Sequence, residues 1–161
     1  MPSPTRRTLL ASLGTAGFAC VAGCTSTSSD DVPAGSLQFI NEDTLPHELT
    51  MQIADVGTEY DRDTQEVIGN PAIPEVMADR RTTAGVEAGT TRTYEDVFTE
   101  PLWYTVQFTI DDEVPENGGQ VSFHPAPSGD ERGTYVGAKV FEYGEFTWVV
   151  SATDNPGPFD Q

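Results

Sequence analysis

Alternation of apolar and polar side chains predicts that the middle of the chain forms β-strands. Between Leu102 and Ile110 every second residue is apolar or aromatic, and the residues between them are mostly polar. The segment from His47 to Ile53 alternates in the same way. Successive side chains of a strand point to opposite faces of a sheet, so this period of two is typical of half-buried strands.

Other short strands are predicted on both sides of these two. The candidate segments are 36–41, 90–98, 121–124, 134–141 and 146–152, with a further candidate within 60–69. Residues 142–145 join the last two as a turn, in which Gly144 is available for a positive φ. The rest of 55–85 is predicted to be a long excursion, with a short helix over 74–81.

These strands do not alternate with helices, so the pattern predicts an all-β fold. We expect an antiparallel β-sandwich of about seven or eight strands over residues 36–161. The pattern, with Asn41 ending the first strand and 87–90 preceding another, resembles the immunoglobulin-like domains of archaeal surface lipoproteins. This resemblance implies an immunoglobulin-like sandwich, with a cupredoxin-like topology as the alternative. The Cys–Trp–Cys core of antibody domains is absent.

The first 23 residues have the composition of an export signal. Arg6 and Arg7 precede an apolar stretch, 9–21, which has the length of a secretory h-region and is too short for a membrane span. Residues 5–10 resemble the twin-arginine signal, in which two arginines follow a polar residue and precede apolar ones. The resemblance implies that the protein is exported in its folded state.

A cysteine preceded by small residues ends this segment. Val21, Ala22 and Gly23 followed by Cys24 resemble a lipobox, whereas Cys20 has no branched aliphatic residue three positions before it. The resemblance implies that residues 1–23 are removed and that Cys24 carries the lipid. Residues 24–35 are small and polar and are predicted to form a flexible spacer. Two acyl chains give stable anchoring, so membrane lipid is an expected partner and the outer face of the cell membrane is the expected location.

Acidic residues outnumber basic residues by 26 to 8, which gives a formal net charge of −18. Removing residues 1–23 deletes two arginines and no acid, so the mature charge is −20. The acidic excess with a single lysine, Lys139, is similar to that of proteins from extreme halophiles, and with the leader it resembles exported haloarchaeal lipoproteins. The acids are spread along the chain, which favours a solvated, salt-adapted surface. Nucleic acid is not an expected partner, because there is no basic stripe.

The two histidines, His47 and His124, are candidate metal ligands. Blue-copper cupredoxins combine two histidines with a cysteine and usually a methionine, and the positions of His47 and His124 resemble the two halves of such a site. However, no cysteine precedes His124 and no methionine follows it. A blue-copper centre needs the thiolate, so type 1 copper is excluded and no cofactor is predicted. A site formed by the two histidines alone remains as a hypothesis.

Other candidate chemistry is weaker. Residues 55–63 and 111–113 carry carboxylates of the kind that Ca²⁺ prefers, but their spacing matches no calcium loop, and solvated loop acids are the favoured interpretation. Ser122 and His124 lack the third group of a hydrolase triad. Exposed aromatic residues that form a platform for a sugar or a peptide are a further hypothesis; the candidates are Phe98, Trp103, Tyr143 and Trp148.

These features predict a lipid-anchored extracellular protein that acts as a non-enzymatic binding or interaction module for an unidentified ligand or protein. The alternative is a metal-binding relative of the cupredoxins that has no type 1 copper. An enzyme is not expected, because no catalytic motif is present.

Overall fold

The computed structural model describes residues 32–73, 79–126 and 132–159 of the 161-residue chain. These residues form ten strands and one 3₁₀ turn, Glu142–Gly144. The strands are β1 Leu37–Asn41, β2 His47–Gly57, β3 Glu59–Asp61, β4 Glu66–Ile68, β5 Arg81–Val86, β6 Thr90–Tyr94, β7 Trp103–Ile110, β8 Gln120–Phe123, β9 Gly133–Val140 and β10 Phe146–Thr153. The prediction of an all-β fold is confirmed.

Eight of the strands form a sandwich of two four-stranded sheets. Sheet A has the order β10-β9-β1-β6 and sheet B the order β5-β2-β7-β8. Neighbouring strands are antiparallel in both sheets except for β1 and β9, which run parallel with Leu37 opposite Val136. The remaining two strands, β3 and β4, pair as a separate hairpin. The prediction of a sandwich of about seven or eight strands is therefore confirmed, and the β3–β4 hairpin is an addition to it.

The core lies between the two sheets and follows the alternation in the sequence. Sheet B contributes four fully buried side chains to the core, Leu49 and Met51 of β2 and Val106 and Phe108 of β7. Sheet A contributes, among others, the fully buried Phe39 of β1. The inward faces predicted for β2 and β7 are confirmed, because in each strand every second residue is apolar and can leave water without burying a polar group.

Tyr104 fixes the chain where it enters β7. Its ring is fully buried, and its hydroxyl donates a hydrogen bond to the backbone carbonyl of Glu100 over 3.2 Å. Burial raises the pKa of Tyr104 to about 12. The hydrogen bond therefore ties the start of β7 to the segment that precedes it.

Strand β5 was missed by the sequence analysis, because four of its six residues are polar or glycine. It pairs with β2, and its Thr83 shares a 2.8 Å hydrogen bond with Thr50 on the outer face. Of the short helix predicted over 74–81, residues 74–78 lie outside the described residues. Arg81 belongs to β5, so that end of the prediction is wrong.

The start of the domain also differs from the prediction. Val32 and Ala34 were placed in the flexible spacer, but their exposed fractions are 1% and 2%. The carbonyl of Val32 accepts a 2.7 Å hydrogen bond from Thr153, and the amide of Gly35 donates to Thr134 over 2.9 Å. The chain is therefore packed from Val32 onward, and the predicted boundary at residue 36 is four residues too late.

Candidate functional site

Several predicted site residues precede the described part of the chain. These are Arg6, Arg7, Val21, Ala22, Gly23 and Cys24, together with residues 25–31 of the spacer. Within the described residues, no helix has both the length and the apolar character needed to cross a membrane.

His47 lies between two carboxylates at one end of the sandwich. Its Nδ1 is 2.8 Å from Oδ2 of Asp111, and its Nε2 is 3.0 Å from Oδ2 of Asp43. The side chains of His47 and Asp43 are only 12% and 7% exposed, whereas Asp111 is 54% exposed. Because both ring nitrogens face a carboxylate, the geometry fits the doubly protonated imidazolium.

Local backbone structure places both carboxylates. Asp111 and Asp112 have φ values of 50° and 66°, and the flanking Ile110 and Glu113 exchange backbone hydrogen bonds of 2.9 and 2.8 Å. This is the arrangement of a type I′ hairpin turn. It aims Asp111 across to β2, where its Oδ1 also accepts the amide of Glu48 over 2.8 Å.

The loop that carries Asp43 is organised by Asn41. The side-chain amide of Asn41, which is buried, donates to the carbonyls of Leu45 and Val86 over 2.8 and 2.9 Å. Its Oδ1 accepts the amide of Asp43 over 2.9 Å. Asn41 therefore joins the end of β1 to the end of β5 and fixes the position from which Asp43 reaches His47.

The cluster shifts the ionisation of all three groups. Burial favours neutral His47, but hydrogen bonds to Asp111 and Asp43, together with their charges, raise the pKa of His47 above its usual 6.5. The hydrogen bond from His47, followed by that from the amide of Thr44, lowers the pKa of Asp43. Burial opposes ionisation of Asp111, yet hydrogen bonds from His47 and the amide of Glu48 lower its pKa.

We expect the two histidines to titrate on opposite sides of pH 6.5 in the folded protein. His47 should titrate above this value because of its carboxylate partners, and His124 below it, because burial lowers the pKa of His124. Nitrogen-15 NMR of both imidazoles between pH 4 and 9 at high salt measures the two pKa values, and His47→Gln assigns the signals. A His47 signal that titrates at or below 6.5 would contradict the cluster geometry.

The pKa shifts of His47, Asp43 and Asp111 make the stability of the folded protein depend on pH. His47 binds its proton more tightly in the folded chain, so its contribution is complete below pH 6.5 and is lost as pH rises through the raised pKa. The two carboxylates contribute above pH 3.8 and lose their contribution as pH falls through their lowered pKa values. The difference in melting temperature between wild type and His47→Gln should therefore be largest between these pH values and should shrink in alkali.

The structure does not bring His47 and His124 together. His124 contacts Trp103 at the start of β7, with ring centroids 5.4 Å apart, whereas His47 bonds to Asp111 just beyond the end of β7. The eight residues of β7 separate the two positions by about 25 Å, at roughly 3.3 Å per residue. The hypothesis of a metal site formed by both histidines is therefore wrong for this fold. Among the described residues, no group of three or more histidine, cysteine, aspartate or glutamate side chains is arranged so that it could hold a metal ion.

The other polar candidates form local turns and strand contacts. Oδ1 of Asp61 accepts the amides of Asp63 and Thr64 over 2.8 and 3.3 Å, as in a tight turn. Ser122 shares a 3.0 Å hydrogen bond with Thr105 on the neighbouring strand. Nδ1 of His124 is buried and has no hydrogen-bond partner among the described residues, so Ser122 and His124 do not form a nucleophile–base pair.

The four aromatic residues that we considered as one platform lie in different places. Phe98 is fully buried in the core. Tyr143 is 92% exposed and lines a cleft of about 670 Å³, the end cleft, together with His47 and Asp111. Trp103 is half-buried and stacks on Tyr60, with ring centroids 4.7 Å apart and an interplanar angle of 20°. A single aromatic platform is therefore not formed.

Trp148 lines a second cleft, the side cleft, where the two sheets end next to each other. Strand β10 is the edge of sheet A and β8 is the edge of sheet B. Trp148 lies opposite the buried Ala138 and so faces inward, but it remains 41% exposed because the four-residue β8 covers only part of β10. The side cleft has a volume of about 460 Å³, and its walls include Tyr60, Gln65, Glu66, Gln120, Ser122 and Trp148.

The β3–β4 hairpin forms one wall of the side cleft and is held against sheet B. Val67 is buried, and Tyr60 stacks on Trp103 of β7. Gly57 permits the close approach of β2 to the hairpin, since a Cβ atom there would collide with the carbonyl oxygen of Ile68. Gln65 has a φ of 60° at the end of the turn between β3 and β4. The hairpin is therefore fixed by packing on one side and by a tight turn on the other.

Most of the residues that meet at these two places are brought together by the fold and were not predicted to meet. Asp43 and Asp111 are four and 64 positions from His47. Asp43 was not a candidate, and Asp111 was considered only as part of the acidic segment 111–113, without His47 as its partner.

The side cleft combines residues from four strands or their turns. Of these, only Trp148 was predicted as part of a binding surface, whereas Ser122 was considered for hydrolase chemistry and Tyr60 lies in the acidic segment 55–63. Which of these residues become neighbours depends on how the two sheets pack. The alternation of apolar and polar residues along a strand does not show this.

The fold is that of a two-sheet β-sandwich protein with a salt-bridged end and a partly open side. No protein-family model, curated protein or solved structure matches the chain.

Proposed function

We propose that this protein is a lipid-anchored, non-enzymatic binding module on the outer face of the cell membrane, exported through the twin-arginine route. The observation that carries the binding role is the side cleft, where the 41% exposed Trp148 lies near Gln65, Glu66 and Gln120, whose side chains have no hydrogen-bond partner among the described residues. The proposed anchor rests on the lipobox Val21–Cys24 and on Arg6 and Arg7 in the leader.

The arrangement of the described residues supports binding over catalysis. Both ring nitrogens of His47 are held by carboxylates, so this histidine has no free position for a proton transfer to a substrate. Ser122 bonds to Thr105 instead of to a base. General acid–base and nucleophilic catalysis both need a side chain that is free to reach the substrate.

Cys24→Ser is expected to release the protein from the membrane or to leave its precursor unprocessed. Without the sulfur no lipid is attached, and the apolar part of the leader is too short for a stable span. Cell fractionation with immunoblotting at the mature and precursor sizes measures this, and Cys20→Ser is the matched control, which should fractionate like wild type. If the Cys24→Ser protein stays in the membrane fraction at its mature size, the proposed anchor is wrong.

A further inference from the structure

We propose that the side cleft binds a neutral saccharide, with Trp148 against the face of a sugar ring and Gln65, Glu66 and Gln120 on its hydroxyl groups. This inference rests on the proposed binding function and names the ligand class for the same cleft. It combines three observations, which are the free polar groups, the half-exposed indole and the rigid walls.

The polar groups of the side cleft are free to bind a ligand. The side chains of Gln65, Glu66 and Gln120 make no hydrogen bond or ion pair with any other residue that the structure describes. Each carboxamide offers two donors and one acceptor oxygen, and the carboxylate offers acceptors only. Sugar hydroxyl groups both donate and accept, so a mixed set of this kind satisfies them better than a set of carboxylates would.

Trp148 supplies the apolar part of the same surface. Its 41% exposure leaves part of a large ring system in contact with the cleft. One face of a pyranose ring carries C–H groups, which pack on an aromatic ring, and the indole N–H is a further donor. Ligand sites typically combine such an apolar surface with a few placed polar groups, in volumes of about 300–1,000 Å³. At about 460 Å³, the side cleft lies within that range.

The walls of the cleft are fixed before a ligand binds. Tyr60 is stacked on Trp103, and the turn before Gln65 is closed by hydrogen bonds from the amides of Asp63 and Thr64 to Asp61. Trp148 lies on β10, which pairs with β9 along its whole length. Fixed walls reduce the ordering cost of binding.

Charge and strand length select among the ligand classes. The side cleft contains Glu66, whose carboxylate offers acceptors only and would lie against the anionic groups of a sulfated or uronic-acid polymer, so such a polymer is disfavoured even at high salt. One carboxylate is not enough to bind a metal cation or a basic peptide. A peptide that added to the edge of β8 would find a strand of only four residues. A neutral saccharide meets none of these objections.

The test uses the full mature lipoprotein in detergent at 2 M NaCl. The chain has two tryptophans, so Trp103→Phe, which keeps a ring on Tyr60, leaves Trp148 as the only indole. Titration with maltotetraose, cellotetraose, mannotetraose and chitotetraose should give a saturable change in Trp148 emission with at least one of them. Saturation-transfer NMR on wild type should identify the same sugar.

Variants then locate the binding site. Gln65→Ala and Gln120→Ala should each weaken binding by about tenfold, the equivalent of one hydrogen bond. Trp148→Ala should abolish saturation transfer, whereas Tyr143→Ala, which removes an exposed aromatic residue from the end cleft, should leave it unchanged. Circular dichroism of each variant confirms that it is folded.

Three results would overturn the proposal. These are no binding of any of the four sugars, equal binding by folded Trp148→Ala, or stronger binding of polygalacturonate or of an extended peptide library at the same cleft. None of them would affect the Cys24→Ser fractionation, so failure of the saccharide assignment is distinguishable from failure of the proposed surface anchoring.

Discussion

In buffer of low ionic strength, the chain without its proposed leader, residues 24–161, is expected to lose its near-ultraviolet circular dichroism, and molar NaCl or KCl is expected to restore it. These residues carry a formal charge of −20, which is compensated in few places. Among the described residues, the ion pairs formed by lysine or arginine are Lys139–Glu42 at 2.7 Å and Arg132–Asp154 at 3.0 Å. Most of the acids therefore repel one another across an exposed surface.

The expected effect of salt on the free energy of unfolding is comparable to the total free energy of unfolding of a domain. A folded chain of roughly 130 residues fills a sphere of about 18 Å radius. Residues 32–161 contain 24 acidic and six basic residues, a formal charge of −18. For this charge, raising the salt from ~0.1 M to ~1 M shortens the screening length from ~10 Å to ~3 Å and favours the folded state by on the order of 5–10 kcal/mol. Domains of this size are stable by about 5–15 kcal/mol.

A charge variant separates screening from the general effect of salt on apolar burial. Glu87, Glu95 and Glu142 are exposed, and no side-chain partner is described for them. Their triple substitution by glutamine should stabilise the protein at ~0.1 M salt and reduce the salt dependence by about 30%, because repulsion scales with the square of the charge. A melting temperature that stays constant from ~0.05 to ~2 M salt would contradict the prediction of salt-dependent folding.

Asn41→Ala is expected to lower the free energy of unfolding by about 2–4 kcal/mol. The substitution removes both hydrogen bonds donated to the carbonyls of Leu45 and Val86, and it removes the acceptor of the Asp43 amide. The carbonyl of Val86 lies at a buried site and would be left unsatisfied, whereas that of Leu45 is only partly buried. Urea unfolding at 2 M NaCl, followed by circular dichroism, measures the loss.

Two further variants test the role of Asn41. Asn41→Asp has the same shape but turns an oxygen toward two carbonyl oxygens, so it should destabilise at least as much at neutral pH and less when the carboxyl is protonated. Asn117→Ala is the matched control, since Asn117 is exposed and its bonds to Phe146 and Gly119 are 3.3 and 3.2 Å long. A loss at Asn41 no larger than that at Asn117 would mean that the carbonyl groups find other partners.

The fold was largely predictable where one face of a strand is apolar. The alternation in β2 and β7 predicted which side chains face the core, and Gly144, as expected, has a positive φ of 74° in the turn before β10. The prediction of strands and boundaries failed where residues are held in the fold without an alternation of apolar and polar side chains. Strand β5 is held mainly by pairing with β2. Val32 and Ala34 are held in place by hydrogen bonds of their backbone with Thr153 and Asn155, and the next residue, Gly35, bonds to Thr134.

The sequence by itself determined the all-β class, the inward faces of the long strands and the excess of negative charge, because each of these depends only on residue type and local order. Tertiary structure decided which distant residues meet. It paired His47 with Asp43 and Asp111, moved His124 to the opposite end of β7, and placed Trp148 beside Gln120. Strand order and register set these contacts, and both depend on how two whole sheets pack, which no single segment of the chain encodes.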